Sequence, residues 1–342
     1  MTPEGQEKSM RAAVYERYGP PEVVSVREVP APVPGKGEVR VRVHATAVTA
    51  ADARLRAARF PRGFGPFARL AFGVTRPRRE ILGSCLSGVV ESVGPGVAQF
   101  AIGDEVCGMA GSRMGTHAEL AVVSAERLIR KPTGVSHDDA AAVLFGGTTA
   151  WQFLHVKASV APGDRVLVVG ASGAVGSSAL QLAAIAGAHV TAVTSEPNAD
   201  LVRSLGASGV VDYRSTDVTA LPDRFDLVVD TVGTLTKATG RPLLRPDGVL
   251  LLVAADLWGT VTARGDVRAG VAGEDTADMA ALIRLVADGS LQVPLETVLP
   301  MDDIVQAHRR VDSGRKVGNI VVRPQEGPLD SPVAQVDSER TS

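Results

Sequence analysis

The feature that most constrains the fold is a glycine-rich turn between an apolar strand pattern and an apolar helix pattern. Four apolar residues, 166–169, lead into Gly170, and Gly173 and Gly176 follow at intervals of three. The first glycine permits a tight turn, the second lets a phosphate approach the backbone, and the third lets the helix pack closely on the strand. The pattern predicts a strand, turn and helix that place a pyrophosphate at the helix N-terminus. The alternative is an ordinary glycine-rich turn of an α/β protein.

Strand and helix patterns alternate around this turn. Ser136, three residues before Asp139, predicts a capped helix that continues to Val156. Later patterns predict strands at 166–169, 189–194, 209–212, 225–230, 248–254, 292–298 and 316–322, and helices at 173–186, 198–205, 276–288 and 301–313. Alternation of this kind predicts a doubly wound parallel sheet with helices on both faces.

The chain before residue 132 has a different pattern. Short β-branched or alternating runs stand between Pro/Gly turns, at residues 11–15, 23–27, 38–44, 88–94 and 103–108. Frequent glycine turns between short strands predict a small barrel-like β domain.

Composition limits the class of protein. A chain of 342 residues predicts two domains, and 45% apolar with 22% charged residues is typical of a globular protein. A net charge of −2 and the lack of any apolar run of about 18 residues argue against nucleic-acid and membrane partners. Only Cys85 and Cys107 are present, which favours a reduced cytoplasmic protein. Residues 1–9, which do not resemble a signal peptide, and residues 325–342 are expected to be disordered.

These patterns together resemble the medium-chain dehydrogenase/reductase superfamily, in its zinc-free quinone oxidoreductase-like branch. The resemblance runs from residue 10 to residue 323. It is carried by spaced motifs, among them Gly83-x-x-x-x-Gly88, Gly103-Asp104, Gly115-Thr-His-Ala-Glu119, the turn 170–176, Asp230-Thr-Val-Gly233 and Ala307-His308.

The resemblance implies a GroES-like β-barrel substrate domain, residues 10–135 and 292–324, and a Rossmann cofactor domain, residues 136–291. The active site is expected in the cleft between them. A homodimer is also expected, through the edge of the cofactor sheet near Val249–Val253 and residues 260–264.

The same resemblance predicts no metal. Zinc-dependent relatives have a Gly-His-Glu motif where this chain has Gly83-Ser84-Cys85, and the segment 48–52 lacks the other cysteine. Cys85 alone cannot hold Zn²⁺, which needs three protein ligands even in a catalytic site. Reducing an isolated ketone concentrates charge on one oxygen, whereas reducing a conjugated C=C spreads it through an enolate.

The sequence therefore predicts an NAD(P)H-dependent oxidoreductase that reduces a quinone, enone or enoyl substrate that is small and hydrophobic. Three alternatives stay open: a metal-free carbonyl reductase or alcohol dehydrogenase, a biosynthetic tailoring reductase, and a nucleotide-binding protein with little turnover.

No acid stands at the end of the second cofactor strand, which favours NADPH, although NADH stays open. Glu196 comes too late for that role, and Asn198 stands where NADPH-using relatives often have lysine. The expected cofactor-binding residues are Thr148, Gly170, Ser172, Gly173, Ala174, Val175, Thr194, Ser195, Tyr213, Val253 and Lys316.

The proton donor is less well defined. By resemblance the catalytic candidates are Thr49, Asp52 and Cys85; for Asp52 the alternative is capping of the following helix, and for Cys85 it is a small buried apolar residue. Phe64 and Phe67 lie in a segment with eight arginines, residues 54–79, where 66–72 is expected to form a short lid helix over the substrate. The segment is interpreted as the entrance for an aromatic or anionic substrate, and the alternative is an ordinary solvated insertion.

Overall fold

The computed structural model describes residues 9–60 and 62–325. The expected disordered termini lie outside the described residues, except for Ser9, which begins the first strand, and Gln325. The α/β fold class expected from the sequence is confirmed by two main sheets, one of seven strands and one of six.

The first part of the chain forms seven strands among the described residues; the first five overlap the five predicted runs, and the last two were not predicted. They are β1 (Ser9–Tyr15), β2 (Val24–Pro30), β3 (Glu38–Ala47), β4 (Cys85–Val93), β5 (Glu105–Met109), β6 (Leu120–Ser124) and β7 (Leu128–Arg130). Between β3 and β4 lie helices α1 (Ala50–Arg56) and α2 (Gly65–Phe72). The second of these helices coincides with the expected lid helix.

Helix α3 (His137–Trp151) leads into the cofactor part of the chain. The Ser136 side chain accepts a hydrogen bond from the Asp139 N–H, so the predicted cap is confirmed. The helix was expected to continue to Val156, but the backbone widens into a π-helical turn, Gln152–Ala158, and ends at Ser159 in a left-handed conformation.

The six-stranded sheet is parallel throughout and has the order β10-β9-β8-β11-β12-β13. Its strands are β8 (Arg165–Val169), β9 (His189–Thr194), β10 (Gly209–Asp212), β11 (Phe225–Asp230), β12 (Leu244–Leu252) and β13 (Val267–Ala269). The connecting helices are α4 (Ala174–Ile185), α5 (Ala199–Ser204), α6 (Lys237–Gly240) and α7 (Leu257–Val261). The strand order reverses between β8 and β11, and a ligand crevice is expected at such a switch point.

The end of the chain returns to the first sheet. After helix α8 (Thr276–Ala287) come β14 (Leu295–Pro300), helix α9 (Ile304–Asp312) and β15 (Asn319–Arg323), which pairs antiparallel with β3. The last strand was expected from Lys316, but it begins at Asn319 because Gly318, with φ +58°, turns the chain toward the glycine-rich turn.

One prediction about the sheet edge is wrong. Val249–Val253 was placed at the edge, but most of it lies in β12, which is hydrogen-bonded on both sides, to β11 and to β13. The short strand β13 forms the edge instead.

Candidate functional site

A cleft opens at the carboxyl ends of β8 and β11. It consists of an inner cavity of about 420 Å³, between the glycine turn, α1 and α9, and an outer cavity of about 590 Å³, beside the end of β9. Gly170, Gly173 and Lys316 line both cavities, so the two adjoin at the glycine turn. An elongated cleft that bends around a helix N-terminus is the shape that a dinucleotide requires.

The glycine turn leaves the start of α4 open to this cleft. Gly170 has φ +81°, which a side chain would strain, and a Cβ on Gly176 would lie 2.0 Å from the Gly170 carbonyl oxygen. A Cβ on Gly173 would meet nothing closer than that oxygen at 3.5 Å, so this position faces open space. Gly173 is the N-cap of α4 and supplies no side-chain cap, which leaves the first N–H groups of α4 available to an anion.

Hydroxyl groups cover one wall of the outer cavity. Thr194 Oγ1 donates to Ser172 Oγ at 2.9 Å, and Asn198 Nδ2 contacts both Ser172 Oγ and Ser195 Oγ at 3.2 Å. Asn198 therefore orders this wall without adding charge. The exposed side chain of Tyr213 also lines this cavity.

Charged groups line the same cavity. The exposed Arg214 and Arg315 contribute cations. The carboxylate of Asp217 is used locally, by the N–H and hydroxyl of Thr219. The outer cavity is thus lined by donors and cations suited to a phosphate ester.

A buried carboxylate fixes the opposite wall of the cleft. Asp230, at the end of β11, accepts N–H bonds from Val232 at 3.0 Å, Gly233 at 2.9 Å and Leu235 at 2.6 Å. Burial raises the pKa of this carboxyl group and the backbone donors oppose the rise. The loop so held presents Thr231 and Val232 to the inner cavity.

The segment before β15 closes the cleft from the other domain. Lys316 Nζ donates to the Gly318 carbonyl, and burial lowers the pKa of Lys316 to about 8. Asn319 lines the inner cavity beside it and donates from Nδ2 to the Pro294 carbonyl at 3.2 Å.

Two of the predicted catalytic residues form a helix cap. The Thr49 hydroxyl donates to Asp52 Oδ2 at 2.5 Å, and the same carboxylate oxygen accepts the Thr49 N–H at 2.8 Å. Asp52 Oδ1 accepts the Gly83 N–H at 3.0 Å, and the side chain is fully buried. Asp52 therefore caps helix α1, which was the alternative to a catalytic role. Thr49 lines the inner cavity, but its hydroxyl proton is already donated to Asp52.

The third, Cys85, lies in the core rather than in the cleft. It is fully buried on β4, it is a free thiol, and burial raises its pKa. A buried neutral thiol is a poor proton donor or nucleophile, so the structure favours the apolar alternative at this position.

Several other expected residues lie outside both cavities. Thr148 is buried, and its Oγ1 donates to the Leu144 carbonyl at 2.5 Å. The residue of α3 that lines the inner cavity is Phe145. Val253 lines neither cavity. Phe64 is the N-cap residue of α2 and Phe67 is 65% exposed, and neither lines the cleft.

Three charged residues of the inner cavity were not expected from the sequence. Arg54 and Arg59 come from α1 and the turn after it, and Asp312 comes from the end of α9. The signal available was the arginine-rich composition of residues 54–79, but nothing in the sequence indicates that Asp312 lies opposite.

A buried polar cluster lies behind Asp312. Arg56 is fully buried and donates from Nη2 to Asp312 Oδ2 at 2.5 Å, while Arg59 reaches Asp312 Oδ1 at 2.8 Å. His308, also buried, has a pKa held well below its usual range by burial and by His117 and Arg56 nearby. Its ring centre is 5.9 Å from that of His117.

The part of the chain that the structure describes contains neither a metal-binding cluster nor a membrane-spanning helix. In residues 9–60 and 62–325, no three His, Cys, Asp or Glu side chains are grouped so that they could hold a metal ion. Over the same residues, each helix is too short or too polar to cross a membrane.

Sequence comparison identifies the family. A quinone oxidoreductase, QR1, from chloroplasts of Triphysaria versicolor is 30% identical over 93% of this chain and 99% of that protein. The chain belongs to the medium-chain dehydrogenase/reductase superfamily, in its quinone oxidoreductase-like branch. Family models match as "Alcohol dehydrogenase GroES-like domain" over residues 35–133 and "Zinc-binding dehydrogenase" over residues 205–322.

Two further relatives of this superfamily are similar to the chain. The bovine mitochondrial NAD(P)H oxidoreductase RTN4IP1 is 34% identical over 69% of this chain, a match that spans 63% of the bovine protein. The solved quinone oxidoreductase of Coxiella burnetii has a TM-score of 0.84 and 26% identity, covering 93% of this chain and 100% of that one. The GroES-like and Rossmann architecture expected from the sequence is thereby confirmed.

Proposed function

We propose that this protein is an NADPH-dependent, zinc-independent reductase of conjugated carbonyl compounds. The observation that carries the proposal is the cleft itself: it runs from a helix N-terminus with free N–H groups to an inner cavity lined by Arg54, Lys316 and Asn319, whose one carboxylate, Asp312, is already paired with two arginines. The family supports NAD(P)H and oxidoreductase chemistry, and the rest follows from the residues of the cleft.

The donor set at the inner cavity does not suit Zn²⁺. Its lining includes Asp312 but neither histidine nor cysteine, and Asp312 is engaged by two arginines. Cys85 is buried in the core and cannot complete a site. The family model named for zinc binding describes residues 205–322, so it tests none of the ligand positions in the first domain. Without a Lewis acid, an acceptor that delocalises its charge is favoured over an isolated ketone.

The outer cavity favours NADPH over NADH. Its wall offers Ser195 and Tyr213 as hydroxyl donors and Arg214 and Arg315 as cations. β9 ends at Thr194 and Ser195 follows it, so no carboxylate stands at the tip of this strand to hold a ribose diol or to repel a 2′-phosphate.

The residues that line the two cavities have different roles in this proposal. The N–H groups at the start of α4 and the Lys316 ammonium would hold the diphosphate of a dinucleotide, and Thr231 and Val232 would support its nicotinamide end. When bound, the dinucleotide would supply a hydride. Asn319 lines the inner cavity and keeps one Nδ2 hydrogen beyond the one that it gives to the Pro294 carbonyl, so it is the donor assigned to the acceptor oxygen. Solvent entering the inner cavity delivers the proton, since the Thr49 hydroxyl is committed to Asp52.

A steady-state assay tests this function. The purified protein is mixed with NADPH or NADH and with a quinone, an enone or a plain aldehyde, and oxidation of the nicotinamide is followed by absorbance. We expect the protein to reduce the quinone or the enone, at a higher rate with NADPH than with NADH. A metal chelator should not change that rate. Turnover of the aldehyde alone favours a carbonyl reductase, and tight cofactor binding without oxidation favours a nucleotide-binding protein. Stoichiometric zinc in untagged protein would contradict zinc independence.

The homodimer is a further part of the proposal. The edge strand β13 is short, and three apolar side chains near it are largely exposed: Trp258 at 75%, Val261 at 67% and Val271 at 89%. Pairing of two such edges would cover them. Light scattering during gel filtration should give twice the chain mass, and a monomer would contradict the proposal.

A further inference from the structure

The segment between α1 and β4 has an unusual charge. Residues 53–79, here called the arginine-rich segment, contain eight arginines and no acid. The segment therefore has a formal charge of +8, and because the whole chain has −2, the rest carries −10. Charge so strongly segregated on one surface attracts anions to that surface.

The arginine-rich segment begins in the wall of the inner cavity. Arg54 and Arg59 line that cavity directly. Beyond them the chain crosses to the cofactor domain, where the Arg62 carbonyl accepts the N–H of Leu257 at 2.9 Å. The segment thus runs from the wall of the inner cavity to α7, and its first arginines border any molecule bound in that cavity.

Most of these arginines have no acidic partner among the residues that the structure describes. Among residues 9–60 and 62–325, the ion pairs of this segment are those of Arg56 and Arg59, both with Asp312. Arg69 packs over the Tyr18 ring and donates to the Val74 carbonyl. The exposed side chains without an acidic partner in the described structure are Arg54, Arg62, Arg76, Arg78 and Arg79.

Apolar side chains stand among these cations. Phe67 and Leu70, on α2, are 65% and 66% exposed, whereas Phe60 and Phe72 pack against the core of the first domain. Guanidinium groups bind phosphates in bidentate fashion, and an exposed aromatic ring offers a stacking face to a base. Cations and a ring side by side therefore suit a ligand with both phosphates and a base.

We propose that the arginine-rich segment binds the phosphorylated handle of an acyl thioester of the coenzyme A class, whose conjugated acyl end enters the inner cavity. This rests on the proposed function: the enoyl thioester gains a hydride at its β-carbon from NADPH and a proton at its α-carbon from solvent, giving the saturated thioester and NADP⁺. A small molecule is favoured over a lipid surface because Arg54 and Arg59 line the same cavity that would hold the reacting acyl group. The anionic group and the acyl group are therefore expected to be parts of one ligand.

The first test compares two substrates that differ only in the handle, crotonyl-coenzyme A and the crotonyl thioester of N-acetylcysteamine. Wild-type protein should show kcat/KM at least about 10-fold higher for the coenzyme A thioester, and the preference should decrease as salt rises. The Arg54→Gln/Arg62→Gln variant should reduce the preference by about 10-fold or more. The Arg203→Gln/Arg284→Gln variant, which removes two exposed arginines that line neither cavity, should keep it. Equal kcat/KM for the two thioesters in the wild type would overturn the inference.

The second test does not depend on turnover. Coenzyme A is titrated calorimetrically into protein saturated with NADP⁺, so that the dinucleotide site is already filled. The inference is supported if coenzyme A binds the wild type and the control variant but not the Arg54→Gln/Arg62→Gln variant. If coenzyme A binds in this way but no acceptor is reduced, only the proposed function fails. Absence of binding overturns the inference while quinone or enone turnover still upholds the function. Co-sedimentation with anionic vesicles in place of coenzyme A binding would assign the segment to a lipid surface and also overturn it.

Discussion

The backbone N–H of Gly318 donates to the Ser172 carbonyl at 2.7 Å, and this bond joins the segment before the last strand to the glycine turn. Gly318 and Gly173 also form an isolated parallel bridge. Gly318 directly precedes a strand of one sheet and the glycine turn follows a strand of the other, so the contact sets how Lys316 and Asn319 face the cleft. The geometry requires glycine at 318, because φ is +58° and a Cβ would lie 2.2 Å from the Pro294 carbonyl oxygen.

We therefore expect Gly318→Ala to weaken both stability and cofactor binding. Strain at a positive φ costs about 1–3 kcal/mol, and the clash with Pro294 adds to it by displacing the segment. Thermal unfolding and the Kd for NADPH measure the two effects. Gly289→Ala is the matched control, because φ there is +78° but a Cβ would meet nothing within 4 Å. Equal Kd values for the two variants would contradict the role of the contact.

The glycine turn allows stability and binding to be separated. Gly173→Ala should fold normally, since its Cβ has space, but should raise the Kd for NADPH by 10-fold or more by blocking the approach of the diphosphate to α4. Gly176→Ala should lower the melting temperature, because its Cβ would meet the Gly170 carbonyl oxygen at 2.0 Å. Unfolding and NADPH titration of both variants test this. A Gly173→Ala protein with wild-type affinity would show that the diphosphate binds elsewhere.

The sequence predicted what local patterns determine. The bounds of β9, β10 and β11 agree with the prediction residue for residue, because each strand is a short β-branched run between turn residues. Residues that meet only through tertiary packing were not predictable: Arg56 and Asp312 are 256 positions apart, and the segment around Lys316 turns because of a contact with Ser172. The prediction that Thr148 binds the cofactor was not supported for a related reason, because helix periodicity does not reveal which face of α3 meets the cleft.

Lys316 should make cofactor capture depend on pH. Burial lowers its pKa to about 8, so the free protein loses this positive charge as pH rises through 8. The value of kcat/KM for NADPH should therefore decrease above pH 8, while kcat, which reports the complex in which the phosphates favour the ammonium, should change less. Lys316→Arg should remove the decrease because a guanidinium stays charged, and Lys316→Gln should give a low, flat profile. A Lys316→Gln profile that still breaks near pH 8 would assign the titration to another group.

The last prediction concerns the two arginines that share Asp312. Arg56 is fully buried, so Asp312→Asn would leave its charge without a counterion, which costs about 3–5 kcal/mol of unfolding free energy. Arg59 is 62% exposed, so Arg59→Gln should cost at most about 1 kcal/mol. Urea unfolding of the Asp312→Asn and Arg59→Gln variants measures these two losses of unfolding free energy. Replacing the buried pair together, as Arg56→Met/Asp312→Leu, should restore much of the loss, because no unpaired charge then remains buried. If Asp312→Asn unfolds at the wild-type urea concentration, Arg56 must be neutralised by another group.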